Sequence, residues 1–282
     1  MRLPRRAMSL GVQASIVLLL FGCSQAPAAA QPSPTSDPAI KAYQALMLSD
    51  DNAMAASTSN HCNTVQDTGC PAAIAHVVIA LQAWLDDLNR FQTPSRFATT
   101  DAQMKRHLTA AISYLNIAAA ANVAQNQSGE DRSIAAAINE RGWVDEMTSS
   151  VAESRQATVA IYTGLVRSEK AVLDSCASCQ SLAGQGQLNC AGGAVTDCDS
   201  LVIDAATQVR TFQAGLVQDA APSVLSARDA QLQSDLAVGD TALIAMMGAL
   251  LTGDQTGLGA ARSSLQRATA AVDADATSVL KG

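Results

Sequence analysis

The sequence predicts an all-α fold: a tandem duplication of an up-and-down four-helix bundle, with one long central helix shared by both copies. Apolar residues recur every three or four positions along most of the chain, which is the spacing of helices that bury one face. No run alternates apolar and polar residues as a strand does, and aromatic residues make up only 3% of the chain. The third observation is an internal repeat.

One stretch of the chain occurs twice. Residues 62–129 align with residues 190–257 without a gap when the chain is shifted by 128 positions. The strongest matches are Cys62 with Cys190, Cys70 with Cys198, Pro94-Ser95 with Pro222-Ser223, and Asp101-Ala102-Gln103 with Asp229-Ala230-Gln231. Chance does not align two cysteine pairs in this way. We therefore predict an internal duplication, with a first bundle over residues 38–150 and a second over residues 151–282.

The first residues of the chain are predicted to lie outside the fold. Arg2, Arg5 and Arg6 precede a short apolar stretch that is interrupted by polar residues. This stretch is too short and too polar to span a membrane, and its layout is typical of a secretory signal. We assign residues 1–22 to that signal.

The signal ends in a recognisable motif. Leu20-Phe21-Gly22-Cys23 resembles the signal of bacterial lipoproteins. The resemblance implies that Cys23 becomes the lipidated, palmitate-bearing first residue of the mature protein. The alternative is an ordinary secreted protein whose signal contains a cysteine. Residues 23–37 are rich in proline and lack periodic apolar residues, so we predict that they form a disordered tether.

A lipid anchor followed by a tether predicts a place and a set of partners. We expect the protein on the extracytoplasmic face of the cell membrane or outer membrane, held there by acyl chains. Removing the three signal arginines leaves 15 basic against 25 acidic side chains, a net charge of −10. A body of this charge repels nucleic acid, so we expect no nucleic-acid partner and instead an envelope protein.

The six cysteines after Cys23 are predicted to form disulfides, because exported proteins meet an oxidising environment. The duplication selects the pairing Cys62–Cys70 and Cys190–Cys198, which leaves Cys176–Cys179. The spacing of Cys176 and Cys179 also suits a redox dithiol, but no βαβ pattern surrounds it. The pattern favours a structural disulfide at a helix end.

The first three helices follow from local signals. The first helix is predicted over Pro38–Ala56, ahead of a polar loop. The second begins at Pro71, which suits the first turn of a helix. The third begins at Pro94, and its copy begins at Pro222.

The next boundary and the helix after it are less sharply marked. We predict a stop at residues 127–129, with Ser128 and its copy Thr256 as the N-caps of the following helices. The region Glu130–Asp174 contains no breaker except Gly142. It is therefore predicted to be the long central helix, and a kink or break near Gly142 is the alternative.

His76 and His107 are the candidate metal ligands. They lie on neighbouring antiparallel helices at a similar distance from the connecting turn, and the repeat places Asp204 and Asp235 opposite them in the second copy. This arrangement suggests a divalent metal site or a pH-sensitive contact. The competing interpretation, which the pattern favours, is that all four face water. The sequence contains no catalytic motif and no cofactor-binding motif.

The sequence therefore predicts a membrane-anchored, extracytoplasmic helical lipoprotein that is not an enzyme and acts as an interaction or structural module of the cell envelope. The alternative is a ligand-binding sensor or carrier with a pocket between helices or between the two bundles. A sizeable cavity lined by both repeats would favour the carrier, and a solid core would favour the interaction module.

Overall fold

The structure is a computed structural model that describes residues 37–57, 69–184 and 195–281. The predicted signal, the lipidation site Cys23, the tether, Cys62 and Cys190 lie outside the described residues. The predicted all-α fold is confirmed, and 37–282 is one compact unit. The helices are α1 Pro38–Ser57, α2 Cys70–Arg90, α3 Ala98–Val123, α4 Gln127–Ala152, α5 Val159–Ser175, α6 Ala177–Ala183, α7 Val195–Gln218, α8 Ser226–Thr252 and α9 Gln255–Leu280.

Short elements connect these helices. A 3-10 turn precedes α3 at Ser95–Phe97, and another precedes α8 at Ser223–Leu225. Two-residue strands, β1 Arg155–Gln156 and β2 Asp219–Ala220, pair in parallel. Pro71 lies in the first turn of α2, as predicted.

Two four-helix layers lie side by side. Helices α1 to α4 pack as one bundle, and α5, α7, α8 and α9 pack as the other, with α6 against α7 and α9. The bundles meet where α3 and α4 contact α7 and α8. The buried apolar side chains form one continuous core through both bundles. A single core of this kind favours a body that unfolds as a unit.

The two bundles point in the same direction. Along α4 and α7, Arg132 contacts Asp199, Glu140 contacts Arg210, and Ser154 contacts the carbonyl of Val217. Because residue numbers rise together on both helices, α4 and α7 run parallel. We call the end of the body where α3 and α8 begin the lower end, and the end where they finish the upper end.

The helix bounds are consistent with the predicted duplication, which itself remains a prediction. The 128-residue shift relates the bounds of α4 to those of α9 and relates the two 3-10 turns to each other. The first helices match with a different offset. The hydroxyl of Tyr43 donates to Asp101 at 3.1 Å, and the hydroxyl of Tyr162 donates to Asp229 at 2.5 Å. This correspondence assigns α5 as the counterpart of α1.

The predicted long central helix is wrong. Helix α4 ends at Ala152 and α5 begins at Val159. The chain reverses between them, because α4 descends to the lower end and α5 ascends from it. The linker forms β1 and bonds to the connection after α7: Arg155 pairs with Asp219 at 2.6 Å. Helix α4 continues through Gly142, so the alternative of a break there is also wrong.

The predicted N-caps are wrong by two residues. The caps are Asn126 and Asp254, whose side-chain oxygens accept the backbone N–H of Gly129 at 3.1 Å and Gly257 at 2.9 Å. The predicted stop at 127–129 instead forms the first turn of α4. Asn and Asp lead the N-cap ranking together with Ser, and here the residue that reaches the orphan N–H decides.

Two segments, α2 and Ser223–Thr252, are long and apolar enough to cross a membrane by length and composition. Both contribute side chains to the continuous core, and core helices commonly meet the same criterion. Packing accounts for more of the apolar surface of Ser223–Thr252, whose apolar window is 56% buried, than of α2, whose window is 22% buried.

The cap assignment predicts a difference between two neighbouring substitutions. Asp254→Ala removes the acceptor for the Gly257 N–H and should lower the free energy of unfolding by about 1 kcal/mol. Thr256→Ala changes an exposed side chain and should shift it by less than about 0.5 kcal/mol. Urea unfolding of both variants measures this. Equal effects would show that Asp254 is not the cap.

Candidate functional site

Four charged side chains meet in the buried interface between the two bundles. They are His107 on α3, Glu140 on α4, Arg210 on α7 and Asp240 on α8, and none is more than 3% exposed. We call them the charge ring. Fully buried charges are rare unless they are paired, so this group is the first candidate for a functional site.

The ring is closed by hydrogen bonds between opposite charges. His107 contacts Glu140 through Nδ1 and Asp240 through Nε2, the latter at 2.5 Å. Arg210 donates from Nε to Asp240 at 2.9 Å and from Nη2 to both oxygens of Glu140 at 2.9 and 3.0 Å. Each cation therefore touches both anions, and each anion touches both cations.

Each bundle contributes one cation and one anion to the ring. His107 and Glu140 come from the first bundle, and Arg210 and Asp240 come from the second. Each half is thus neutral before the bundles meet. The indole ring of Trp143 packs against the His107 imidazole, with ring centroids 3.9 Å apart, and is itself buried. This contact fixes the orientation of the imidazole.

The ring sets the ionisation of its members. Burial lowers the pKa of His107, but the carboxylates of Asp240 and Glu140 outweigh burial and the nearby Arg210, so the net direction is upward. Burial raises the pKa of Glu140, but Arg210 and His107 outweigh it and bring it below its usual value. The pKa of Asp240 is lowered in the same way, by His107 and Arg210. The partners within the ring therefore shift the pKa of each of these groups toward its charged form.

Because the groups of the charge ring are paired with one another, few of their atoms are free to bind or react. Both imidazole nitrogens of His107 are engaged, and both carboxylates already bind a guanidinium. Within the described residues, only Nη1 of Arg210 lacks a hydrogen-bond partner in this ring. In that same part of the chain, no group of three or more His, Cys, Asp or Glu side chains is arranged to hold a metal ion. The charge ring is therefore better suited to holding the two bundles together than to reacting with a substrate.

The predicted pair of histidines is not brought together. His76 is exposed on α2, whereas His107 is buried with both nitrogens bonded to carboxylates. Asp204 is exposed and Asp235 is partly exposed. The expectation that all four face water is therefore wrong for His107. The apolar stripe of α3 is wide enough to include this residue, and its charge is compensated by carboxylates from two other helices, α4 and α8.

The cysteines behave as follows in the described residues. Cys176 and Cys179 form a disulfide between α5 and α6. Cys70, at the upper end of α2, is disulfide-bonded. Cys198, in the first turn of α7, is disulfide-bonded as well. Their predicted partners, Cys62 and Cys190, lie outside the described residues, so those two pairings stay predictions.

Sequence reasoning missed Glu140, Arg210 and Asp240. A signal was present, because Asp240 lies four residues after Leu236 and three before Leu243, both of which are in the core. A charged residue inside a helical apolar stripe indicates a buried partner. The stripe alone does not say which partner, since the ring joins residues up to 133 positions apart.

Comparisons with known proteins add no family to this description. The chain matches no protein family, no curated protein and no solved structure.

The ring predicts that losing one charge costs more than losing a neutral pair. Arg210→Met leaves two carboxylates facing one imidazolium and should lower the free energy of unfolding by about 3–5 kcal/mol. Arg210→Met combined with Asp240→Leu leaves a neutral His107–Glu140 pair and should recover most of that loss. Urea unfolding of both variants provides the measurement.

The matched control is Arg141→Met. Arg141 forms a partly exposed ion pair with Asp145, which also lies on α4, and the two side chains are 3.5 Å apart. It should cost no more than about 0.5 kcal/mol. A double variant no more stable than Arg210→Met would contradict a charge ring of this kind.

The ring also predicts a pH dependence. The native pKa of His107 is raised, so its stabilising contribution is complete below about pH 6.5 and is lost as the pH rises through the native pKa. The free energy of unfolding should fall there by up to about 1.4 kcal/mol per pH unit. His107→Gln should remove this slope, and His76→Gln, at an exposed site, should keep it.

Proposed function

We propose that the protein is a lipid-anchored, extracytoplasmic module of a bacterial cell envelope that acts by binding a partner protein rather than by catalysis. The observation that carries this proposal is the charge ring, which joins two helical bundles into one body at the centre of their interface. A body held in this way presents its whole surface in a fixed geometry, which reduces the entropic cost of association.

The reactive groups of the ring support a role without chemistry. A general acid or base must reach the proton that it transfers. His107 and Asp240 have no exposed surface, and Glu140 and Arg210 have only 3% of their side chains exposed. Each is also bonded to opposite charges, so a substrate would have to separate the bundles to reach them. Such a cluster is more useful for positioning surfaces than for turning over a substrate.

The anchoring part of the proposal rests on the N-terminal sequence. A positive segment, an apolar stretch, the Leu20-Phe21-Gly22-Cys23 motif and a proline-rich tether follow one another in the order found in lipoproteins. The net negative charge of the remaining chain gives no electrostatic attraction to anionic lipid, so membrane association would depend on acyl chains.

Lipidation is tested by expressing the full chain in a bacterial host with radiolabelled palmitate. The wild type should incorporate the label and sediment with membranes, and the mass of its first peptide should correspond to an acylated Cys23. Cys23→Ser should lose the label and the membrane association. Ser24→Ala is the matched control and should behave as wild type. An unlabelled wild-type protein would refute the anchor and leave the interaction role to be tested separately.

The interaction role is tested by photo-crosslinking in intact cells. A crosslinking amino acid replaces Val123 at the upper end or Val224 at the lower end, where the side chains are 78% and 77% exposed. We expect a discrete adduct with one protein from at least one position, and expect Cys23→Ser to weaken it. Absence of an adduct at both ends and at Ile79 and Ile138, which are 66% and 65% exposed, would overturn the role.

A further inference from the structure

The second bundle contains an apolar cavity between its helices. The cavity has a volume of about 80 Å³ and lies between α5, α7, α8 and α9, with Cys179 of α6 at its edge. Its walls are formed by small or aliphatic side chains, among them Ala205, Val209, Gly239 and Ala268. It is lined by one repeat only, so of the two pockets that the carrier alternative allowed it corresponds to one between helices and not to one between the two bundles.

The predicted repeat allows residues that line the cavity in the second bundle to be compared with their counterparts in the first. Shifting the chain by 128 residues matches Ala205 with Val77, Val209 with Leu81, Gly239 with Ala111, and Ala268 with Glu140. At all four positions the second bundle has the smaller side chain. Protein interiors normally close such gaps because empty space forfeits dispersion contacts. A fifth wall position shows the opposite change, Leu265 for Ala137, and the space remains open despite it.

The mouth of the cavity is charged. The lining includes two carboxylates, Asp174 and Asp273, whose side chains are 60% and 61% exposed. Lys170 joins them, with Nζ at 2.8 Å from Asp174 and 2.5 Å from Asp273. Two carboxylates and one ammonium leave a net charge of −1 at the rim. This charge favours a cationic group there and disfavours an anionic one.

We propose that the second bundle binds the alkyl chain of a primary alkylammonium amphiphile, with the chain in the cavity and the ammonium beside Asp273. The volume sets the shape of the ligand. Engineered apolar cavities of about 150 Å³ in another protein stay dry and bind benzene, and this cavity is about half that size. A narrow unbranched chain can place part of its length in this space and the rest at the open mouth, where Asp174 and Asp273 are exposed, whereas a ring must enter whole. This site goes beyond the proposed interaction role and does not depend on lipid anchoring.

The test is isothermal titration of residues 24–282, which contain the whole compact unit, with hexylammonium, 1-hexanol and hexanoate. We expect hexylammonium to bind tightest and hexanoate weakest. Gly239→Ala should weaken hexylammonium binding about tenfold, which corresponds to about 1.4 kcal/mol. The fold should tolerate this change, because the added Cβ would lie 3.6 Å from the Ala268 Cβ, an ordinary contact.

Two controls separate the site from the scaffold. Gly259→Ala makes the same change at an exposed position of α9, where nothing lies within 4 Å of the added Cβ, and should leave binding unchanged. Asp273→Asn neutralises the rim and should reduce the preference for hexylammonium over hexanoate without affecting 1-hexanol. The proposal is overturned if no probe binds, if hexanoate binds as tightly as hexylammonium, or if Gly239→Ala and Gly259→Ala bind alike.

Discussion

The pairing of four buried charges is the interaction on which the arrangement of the two bundles depends. A charge removed from water must find an opposite charge and hydrogen bonds in the interior, or it costs several kcal/mol. Each bundle satisfies part of this requirement itself, through His107 with Glu140 and through Arg210 with Asp240. The remaining bonds form only when α3 and α4 meet α7 and α8 in one register. Apolar contacts would tolerate several registers, so the ring selects one.

The parallel, side-by-side packing has consequences along the whole interface. With the ring at mid-height, Arg132 lies opposite Asp199 near the upper end, and Arg155 lies opposite Asp219 near the lower end. The chain must therefore turn back at the lower end before it can begin the second bundle. Residues 153–158 make that turn, and their backbone bonds to the neighbouring connection through β1 and β2.

Local sequence predicts most of the local structure here, the two N-caps excepted, and the larger failures are long-range. The apolar period and Pro71 were sufficient to place α2, because both act within one helical turn. The reversal after Ala152 has no proline or glycine to announce it, and it is stabilised by residues more than 60 positions away. His107 was considered as a metal ligand but was expected to face water, and its partners Glu140 and Asp240 were not identified, since periodicity does not show what a position contacts.

One position of the predicted repeat contributes to the charge ring in the first bundle and to the cavity in the second. Glu140 and Ala268 are equivalent under the 128-residue shift, and both are buried. A carboxylate at this position in α4 is compensated because α7 supplies Arg210. Among the described residues, helix α9 packs chiefly with α8, α5 and α6, so a carboxylate there would lack the arginine that α7 supplies to α4. Alanine avoids the unpaired charge, and opposite Gly239 it borders the space found in the second bundle. The two bundles therefore have unequal interiors, with a charge ring in their interface and an apolar cavity away from it.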